Sequence, residues 1–174
     1  MEKALFGAGC FWGVEETFRK LKGVTKTEVG YSGGNTLNPT YETVCNGDTN
    51  HAEVVLIEYD EKELTFENLL NHFWKNHDPT TLNRQGPDIG TQYRSVIFYS
   101  TEPQLKEIEN KLLKIRNKVK SEIVTEVNSQ MNFFQAEDYH VNYYNLHKNQ
   151  PYCNLVISPK ITSFKKKFKN YIKD

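Results

Sequence analysis

Three cysteines, Cys10, Cys45 and Cys153, are all that this 174-residue chain contains. They are odd in number and widely scattered, so they form no disulfide framework. No Cys-x-x-Cys pair offers a zinc knuckle or a thioredoxin-type dithiol. An excess of one charge is missing too: Lys plus Arg and Asp plus Glu both total 22, for a net charge of zero. Nothing global therefore points to nucleic acid or to a membrane surface. No apolar run approaches membrane-spanning length, and the first residues lack the charged-then-apolar order of a signal peptide, so a cytoplasmic location is expected. Repeats and composition breaks are also absent. The expectation is one domain over 1–174, long enough to bury a core without staples. What the chain has in quantity is aromatic surface, with ten Tyr and ten Phe.

Cysteine chemistry here rests on individual thiols, and the first lies in Gly7-Ala8-Gly9-Cys10-Phe11-Trp12-Gly13. Lys3 to Phe6 can pair as a short strand before it. Val14 to Leu21 can wind as a helix after it, with Val14, Phe18 and Leu21 on one face. A cysteine at such a turn has its sulfur near free backbone N–H groups and the positive helix end, which favours thiolate. Phe11 and Trp12 push the other way, because an apolar cage disfavours the anion. An unperturbed thiol of pKa ~8.5 is only about 3% ionised at pH 7, so this balance governs reactivity by more than tenfold. Locally, Cys10 reads equally as a reactive thiol or as a structural one at a tight turn.

Along the chain, Thr25 to Tyr31 alternates like a strand, 32–40 reads as a loop, and Tyr41 to Cys45 reads as a short extended piece. Val54 to Tyr59 is the strongest strand, and its β-branched run suits a central position covered on both faces. Thr65 can cap a helix from Phe66 to Lys75 whose stripe is Phe66, Leu69, Leu70 and Phe73. Residues 76–92 have no period, and loops of that length are usually functional or disordered. Arg94 to Tyr99 is a strand, and Thr101 opens an amphipathic helix to about Lys120. Glu122 to Val127 follows as a strand candidate and Phe133-Phe134 as an extended piece. Ala136 to Lys148 reads as a helix, Cys153 to Ile157 as a strand, and the tail from Lys160 as a last helix. Strands and helices alternate with connections of mixed length. This predicts an α+β sandwich: a mixed, mostly antiparallel sheet with packed helices.

Several residues could carry chemistry. In a strand His51 and Glu53 share a face. They are either a solvated His–Glu pair or, for Glu53, a carboxyl held in an apolar site as an acid near neutrality. A zinc deaminase also uses His-x-Glu, but Pro151-Tyr152-Cys153 lacks the second cysteine that chemistry needs, so no metal is expected. Tyr41, and Asp88 and Tyr93 within Asp88-Ile89-Gly90-Thr91-Gln92-Tyr93-Arg94, border aperiodic loops, where a hydroxyl either enters a site or packs. Cys45 reads as a small buried filler. His140 and His147 read as packing or surface residues, and the Lys-rich tail as a solvated helix face.

Taken together, these stretches resemble the peptide methionine sulfoxide reductase A family over nearly the whole chain. Gly9-Cys10-Phe11-Trp12-Gly13 is similar to its nucleophile motif. Gly30-Tyr31-Ser32-Gly33-Gly34, Asn38-Pro39-Thr40-Tyr41-Glu42 and Gly47-Asp48-Thr49-Asn50-His51-Ala52-Glu53-Val54 follow in the family's order. So do Asp78-Pro79-Thr80, Gly90-Thr91-Gln92-Tyr93-Arg94-Ser95 and Ala136-Glu137-Asp138-Tyr139-His140.

The resemblance implies a ferredoxin-like α+β core and reduction of the S epimer of methionine sulfoxide, free or in proteins. It implies Cys10 as nucleophile, passing through a sulfenic acid. Glu53 then protonates or hydrogen-bonds the oxygen, with Tyr41 and Tyr93 donating further hydrogen bonds. Phe11 and Trp12 hold the methyl, and Asp88 fixes a water or the substrate backbone. No bound cofactor is implied; thioredoxin or another thiol supplies the electrons. The chain departs from the family at Gln150-Pro151-Tyr152-Cys153, which lacks the glycines that make many members' resolving cysteine mobile. Cys153 holds that place, and either it or an external thiol resolves Cys10. Two rivals remain: a cysteine hydrolase or acyl transferase using Cys10 with His51, and a module that binds oxidised methionine without turnover.

Overall fold

The computed structural model describes residues 1–130 and 132–173. In chain order its elements are β1 (Glu2–Ala8), α1 (Phe11–Arg19), β2 (Val24–Ser32), α2 (Tyr41–Cys45), β3 (Ala52–Tyr59) and α3 (Phe66–Lys75). A small hairpin, β4 (Arg84–Gln85) and β5 (Asp88–Ile89), precedes β6 (Ser95–Tyr99) and α4 (Glu102–Arg116). β7 (Glu126–Ser129), β8 (Phe134–Gln135), α5 (Tyr143–Leu146) and α6 (Ser158–Lys167) complete the fold.

The main sheet runs β7-β6-β1-β3-β2-β8. Its inner four strands, β6-β1-β3-β2, are all antiparallel, with α1 and α3 as the connecting helices, which is the ferredoxin-like arrangement. β7 adds parallel to β6 and β8 antiparallel to β2. Alternation along β1 and β3 divides the side chains. Ala4, Phe6, Val55 and Ile57 join the large core that includes Phe18, Leu69, Leu70 and Phe73. Leu5, Val54, Val96 and Phe98 form a smaller cluster, where the chain at Gly33 and Phe133 closes over the second face. β3 is thus buried on both sides, as its β-branched run predicts. Among the described residues no helix is long and apolar enough to cross a membrane.

The helix signals mostly hold. Thr65 accepts from Asn68 N–H and Thr101 from Gln104 N–H, capping α3 and α4 where the sequence places them. Four local expectations are corrected. Tyr41–Cys45 is helical, because Thr40 and Thr43 bond reciprocally across its first turn. The helix expected over 136–148 breaks at Asn142, which has φ 54° and gives its N–H to the buried carboxylate of Glu15 at 3.0 Å. The strand expected at 122–127 is displaced to Glu126–Ser129. Cys153–Ile157 is a wide helical turn that runs into α6, not a strand. Its apolar residues continue as Ile161, Phe164 and Phe168, a helical spacing that outweighs the β-branched run.

Candidate active site

Strand register brings the central pair together. The β1–β3 ladder pairs Phe6 with Val55, so two residues further on Ala8 lies across from Glu53; β2 brings Tyr31 to the other side of Glu53. The chain leaves β1 through Gly9 at φ 104°, where a Cβ would meet Gln85 Cγ at 2.8 Å, and enters α1 with Cys10 as its N-cap. Glu53 faces the same helix end. Its Oε1 accepts from Phe11 N–H at 3.1 Å, an amide with no partner inside the helix.

Glu53 is 1% exposed and pairs with no cation among the described residues. Burial pushes its pKa up to about 8; the Phe11 N–H opposes this and the charge of Asp88 adds to it. The carboxyl is therefore mainly protonated near neutrality. Burial also raises the Cys10 thiol well above its ordinary value, and Glu53 and Asp88 push the same way against bonds from Trp12 and Tyr152. Desolvation thus outweighs the helix terminus in the free site. Tyr41 and Tyr93 are likewise pushed up, first by burial and then by the charge of Glu53, so both phenols remain donors.

Each donor is held by backbone ties. Glu137 takes the N–H of Tyr41 on one carboxylate oxygen and the hydroxyl of Tyr31 on the other, both at 2.9 Å. This anchors the first turn of α2 to the central sheet. Tyr93 ends a single turn over Thr91–Tyr93. The buried guanidinium of Arg94 bonds Thr91 O at 2.9 Å, Asn50 O at 3.0 Å and Glu126 at 3.0 Å. One cation thereby locks the Tyr93 turn to the segment leading into Glu53.

Aromatic rings close the other side. Phe11 is fully buried against Tyr31 and His140. Trp12 stacks on Tyr143 at 3.9 Å and 11°, meets Tyr152 edge-on at 5.9 Å, and donates its Nε1–H to His140 Nδ1 at 2.9 Å. Its indole is thereby fixed on three sides. Asp88, on β5, accepts the hydroxyl of Tyr152, and the same hydroxyl lies within reach of the Cys10 sulfur. Gln85 bonds Asp78 N–H and carbonyl, which steadies the hairpin that carries Asp88.

Cys10, Glu53, Tyr41, Tyr93, Phe11, Trp12 and Asp88 thus converge. Cys153 does not line the opening: it is fully buried with Tyr144, Ile157 and Ile161, beyond Trp12 and Tyr152. Cys45, expected to be buried, is instead exposed at the end of α2. His51 is not a base for Cys10. Its Nδ1 accepts from Gly34 N–H at 2.9 Å and its Nε2 contacts Thr36 O at 2.7 Å, so the imidazole staples the 33–36 loop. A Cβ at Gly34 would strike Thr49 O and the His51 ring, which explains the glycine there. Sequence reasoning missed Tyr152 and Tyr143, and took His140 for packing or surface. Ala136-Glu137-Asp138-Tyr139-His140, one of the resemblance blocks, was the available signal for Glu137 and His140.

A partly buried thiol, a protonated carboxyl and two phenols around a rigid aromatic cage suit nucleophilic attack on a polar centre whose oxygen must gain protons. Comparison with known proteins agrees. The family model described as peptide methionine sulfoxide reductase matches residues 2–172. Peptide methionine sulfoxide reductase MsrA of Acinetobacter baumannii (strain SDF) is 52% identical over 174 residues, covering 100% of this chain and 99% of that one. Reduced Mxr1 of Saccharomyces cerevisiae superposes with TM-score 0.82 at 36% identity, over 87% of this chain and 88% of that one. Mxr1 in complex with Trx2 gives TM-score 0.59 at 25% identity, over 82% of this chain and 84% of that one. The fold, the full-length match and these relatives show that the chain belongs to the peptide methionine sulfoxide reductase family.

Proposed function

We propose that this enzyme reduces the S epimer of methionine sulfoxide, free or in polypeptides, with the whole of 1–174 acting as one catalytic domain. The observation that carries the reading is the buried Glu53 carboxyl, protonated near neutrality and sharing the α1 N-terminus with Cys10. The substrate methyl enters the cage of Phe11 and Trp12, and the sulfoxide oxygen faces Glu53, Tyr41 and Tyr93. Cys10 sulfur attacks the substrate sulfur as Glu53 supplies a proton to the oxygen. The thiol proton of Cys10 restores Glu53, the hydroxyl passes from the substrate sulfur to Cys10 as the sulfur–sulfur bond between them breaks, and Cys10 is left as a sulfenic acid with methionine reduced. The opposite epimer would set its oxygen against the indole face without a donor, which is costly in a desolvated site. Asp88, oriented by Tyr152, takes the substrate amide or a water.

Cys153 then resolves Cys10. Its thiol displaces the sulfenic hydroxyl as water to form a disulfide, which an external dithiol of the thioredoxin kind reduces. The complex of the related Mxr1 with Trx2 supports that partner. A cytoplasmic setting, with its reducing thiols, suits the cycle. The test is turnover of N-acetyl-methionine (S)- and (R)-sulfoxide by the protein and by Cys10→Ser. Reduction of the S epimer alone, lost in Cys10→Ser, is expected. Undiminished turnover by that variant overturns the reading.

A further inference from the structure

Among the described residues, Lys20 and Lys26 are the lysines that form ion pairs. The ion pairs among the described residues use Arg19, Lys20, Lys26 and Arg94. Lys75, Lys111, Lys114, Lys118 and Lys160 take part in none, yet they converge. A groove of about 780 Å³ between α3 and α4 has Trp74, Pro79 and Ile115 as its apolar floor, with Lys75, Lys111, Lys114 and Lys118 around it. It shares Lys75 with a second depression of about 310 Å³ that contains Lys160. That one shares Lys160 and Asn76 with a small cavity reaching Ala8 and Gly13, which flank Cys10 in the chain. Shared lining residues make the three neighbours, together a stepped trough whose last member touches the residues on either side of the Cys10 turn.

Asp78 is the sole carboxylate lining the trough among the described residues, and Thr80 N–H and hydroxyl already occupy it. Helix ends account for part of the pattern: Lys75 and Lys114 sit in the last turns of α3 and α4, where cations complement the dipole. They do not account for Lys118, beyond α4, or Lys160, contributed by α6. The charge has also been separated. A depression elsewhere is lined by Glu2, Glu61 and Glu107, and the Tyr59 phenol there is pushed up to about 12 by burial and then by those carboxylates. A chain of zero net charge has gathered unpaired cations in neighbouring depressions, one of which, with Lys160, reaches the residues flanking Cys10.

We propose that this trough holds acidic side chains flanking an oxidised methionine, so that the enzyme favours polypeptide methionine sulfoxide in acidic surroundings. The inference rests on the reductase reading and names its substrate class. An apolar floor between cationic walls fits a polypeptide carrying mixed acidic and apolar side chains, with Coulomb attraction adding to side-chain burial.

The test compares kcat/KM for short peptides with a central methionine (S)-sulfoxide flanked by Glu, by Ser or by Lys, with N-acetyl-methionine (S)-sulfoxide as reference. At low ionic strength the Glu-flanked peptide is expected to exceed the Ser-flanked one by about tenfold, from several exposed ion pairs acting together, and the Lys-flanked one to fall below both. High salt should erase the difference. Combined Lys111→Glu, Lys114→Glu and Lys118→Glu should invert the order while leaving the reference substrate unchanged. Lys118→Glu alone, outside α4, carries the same test if the combined variant does not fold. Equal kcat/KM for Glu- and Ser-flanked peptides overturns the trough assignment. So does a uniform loss on every substrate in the variants, or charge-dependent binding of a labelled oligonucleotide without peptide preference. Failure of the unaltered protein to reduce the reference substrate strikes the reductase reading instead.

Discussion

Glu53 and Phe11 are joined by a 3.1 Å hydrogen bond from the first amide of α1, so the acid sits at the same helix terminus that Cys10 caps. The bond favours the ionised carboxylate, yet burial prevails and the pKa reaches about 8. This balance keeps the Glu53 carboxyl protonated where an exposed glutamate would already have ionised.

Turnover should therefore fall as pH rises through about 8, when Glu53 loses its proton. Glu53→Gln should lower kcat by roughly 10²–10⁴, the usual scale for a lost general acid, and abolish that limb. Steady-state rates on N-acetyl-methionine (S)-sulfoxide across pH 6–10 provide the check; a variant that keeps the limb assigns it to another group.

Stability should follow the same proton. Glu53 ionises near 4.5 in an unfolded chain but near 8 when folded, so between these values the folded state retains a proton that the unfolded state has released. The stability associated with the neutral carboxyl is complete below 4.5 and declines as pH rises to 8. Glu53→Gln should remove the decline, which amounts to about 5 kcal/mol at most. Denaturant titrations at pH 5 and pH 9 would expose it; equal slopes in both proteins contradict it.

Cys10 should react slowly with iodoacetamide at neutral pH, because burial and then Glu53 hold its thiol well above the ordinary range. Glu53→Gln or Asp88→Asn should shift its alkylation profile to lower pH. Cys45→Ser is the background of choice, since Cys45 is exposed and would otherwise report first.

One equivalent of substrate without reductant should yield a Cys10–Cys153 disulfide on peptide mapping. Its formation requires residues near 152 to leave their helical turn, so Tyr152→Phe, which deletes the bond to Asp88, should accelerate it. A lasting Cys10 sulfenic acid, or a Cys10–Cys45 bond, excludes this route.

The sheet and the site were legible for different reasons. Phe66 to Lys75 could be read to the residue, because a cap and a 3.6-residue stripe are both local. So could the buried β3, whose composition reports covering on both faces. The acid reading of Glu53 is only one of two its neighbours allow, since its burial comes from the pairing of β1 with β3, strands far apart in the chain. Tyr152 could not be found from local pattern: its partner Asp88 lies on a two-residue strand with no periodic signature. The 151–157 segment reads as a strand because Val156 and Ile157 favour strands locally, while the helical stripe that Ile157 shares with Ile161, Phe164 and Phe168 lies mostly beyond the segment.

Tyr152 and Cys153 are consecutive, and one braces the indole of Trp12 while the other carries the second thiol. Whatever carries Cys153 toward Cys10 must also withdraw Tyr152 from the methyl pocket. The oxidised enzyme would then have a dismantled substrate site, and rebuilding it would await reduction of the disulfide. On the proposed route through Cys153, the adjacency of two residues would make reduction and reloading sequential without a separate gate.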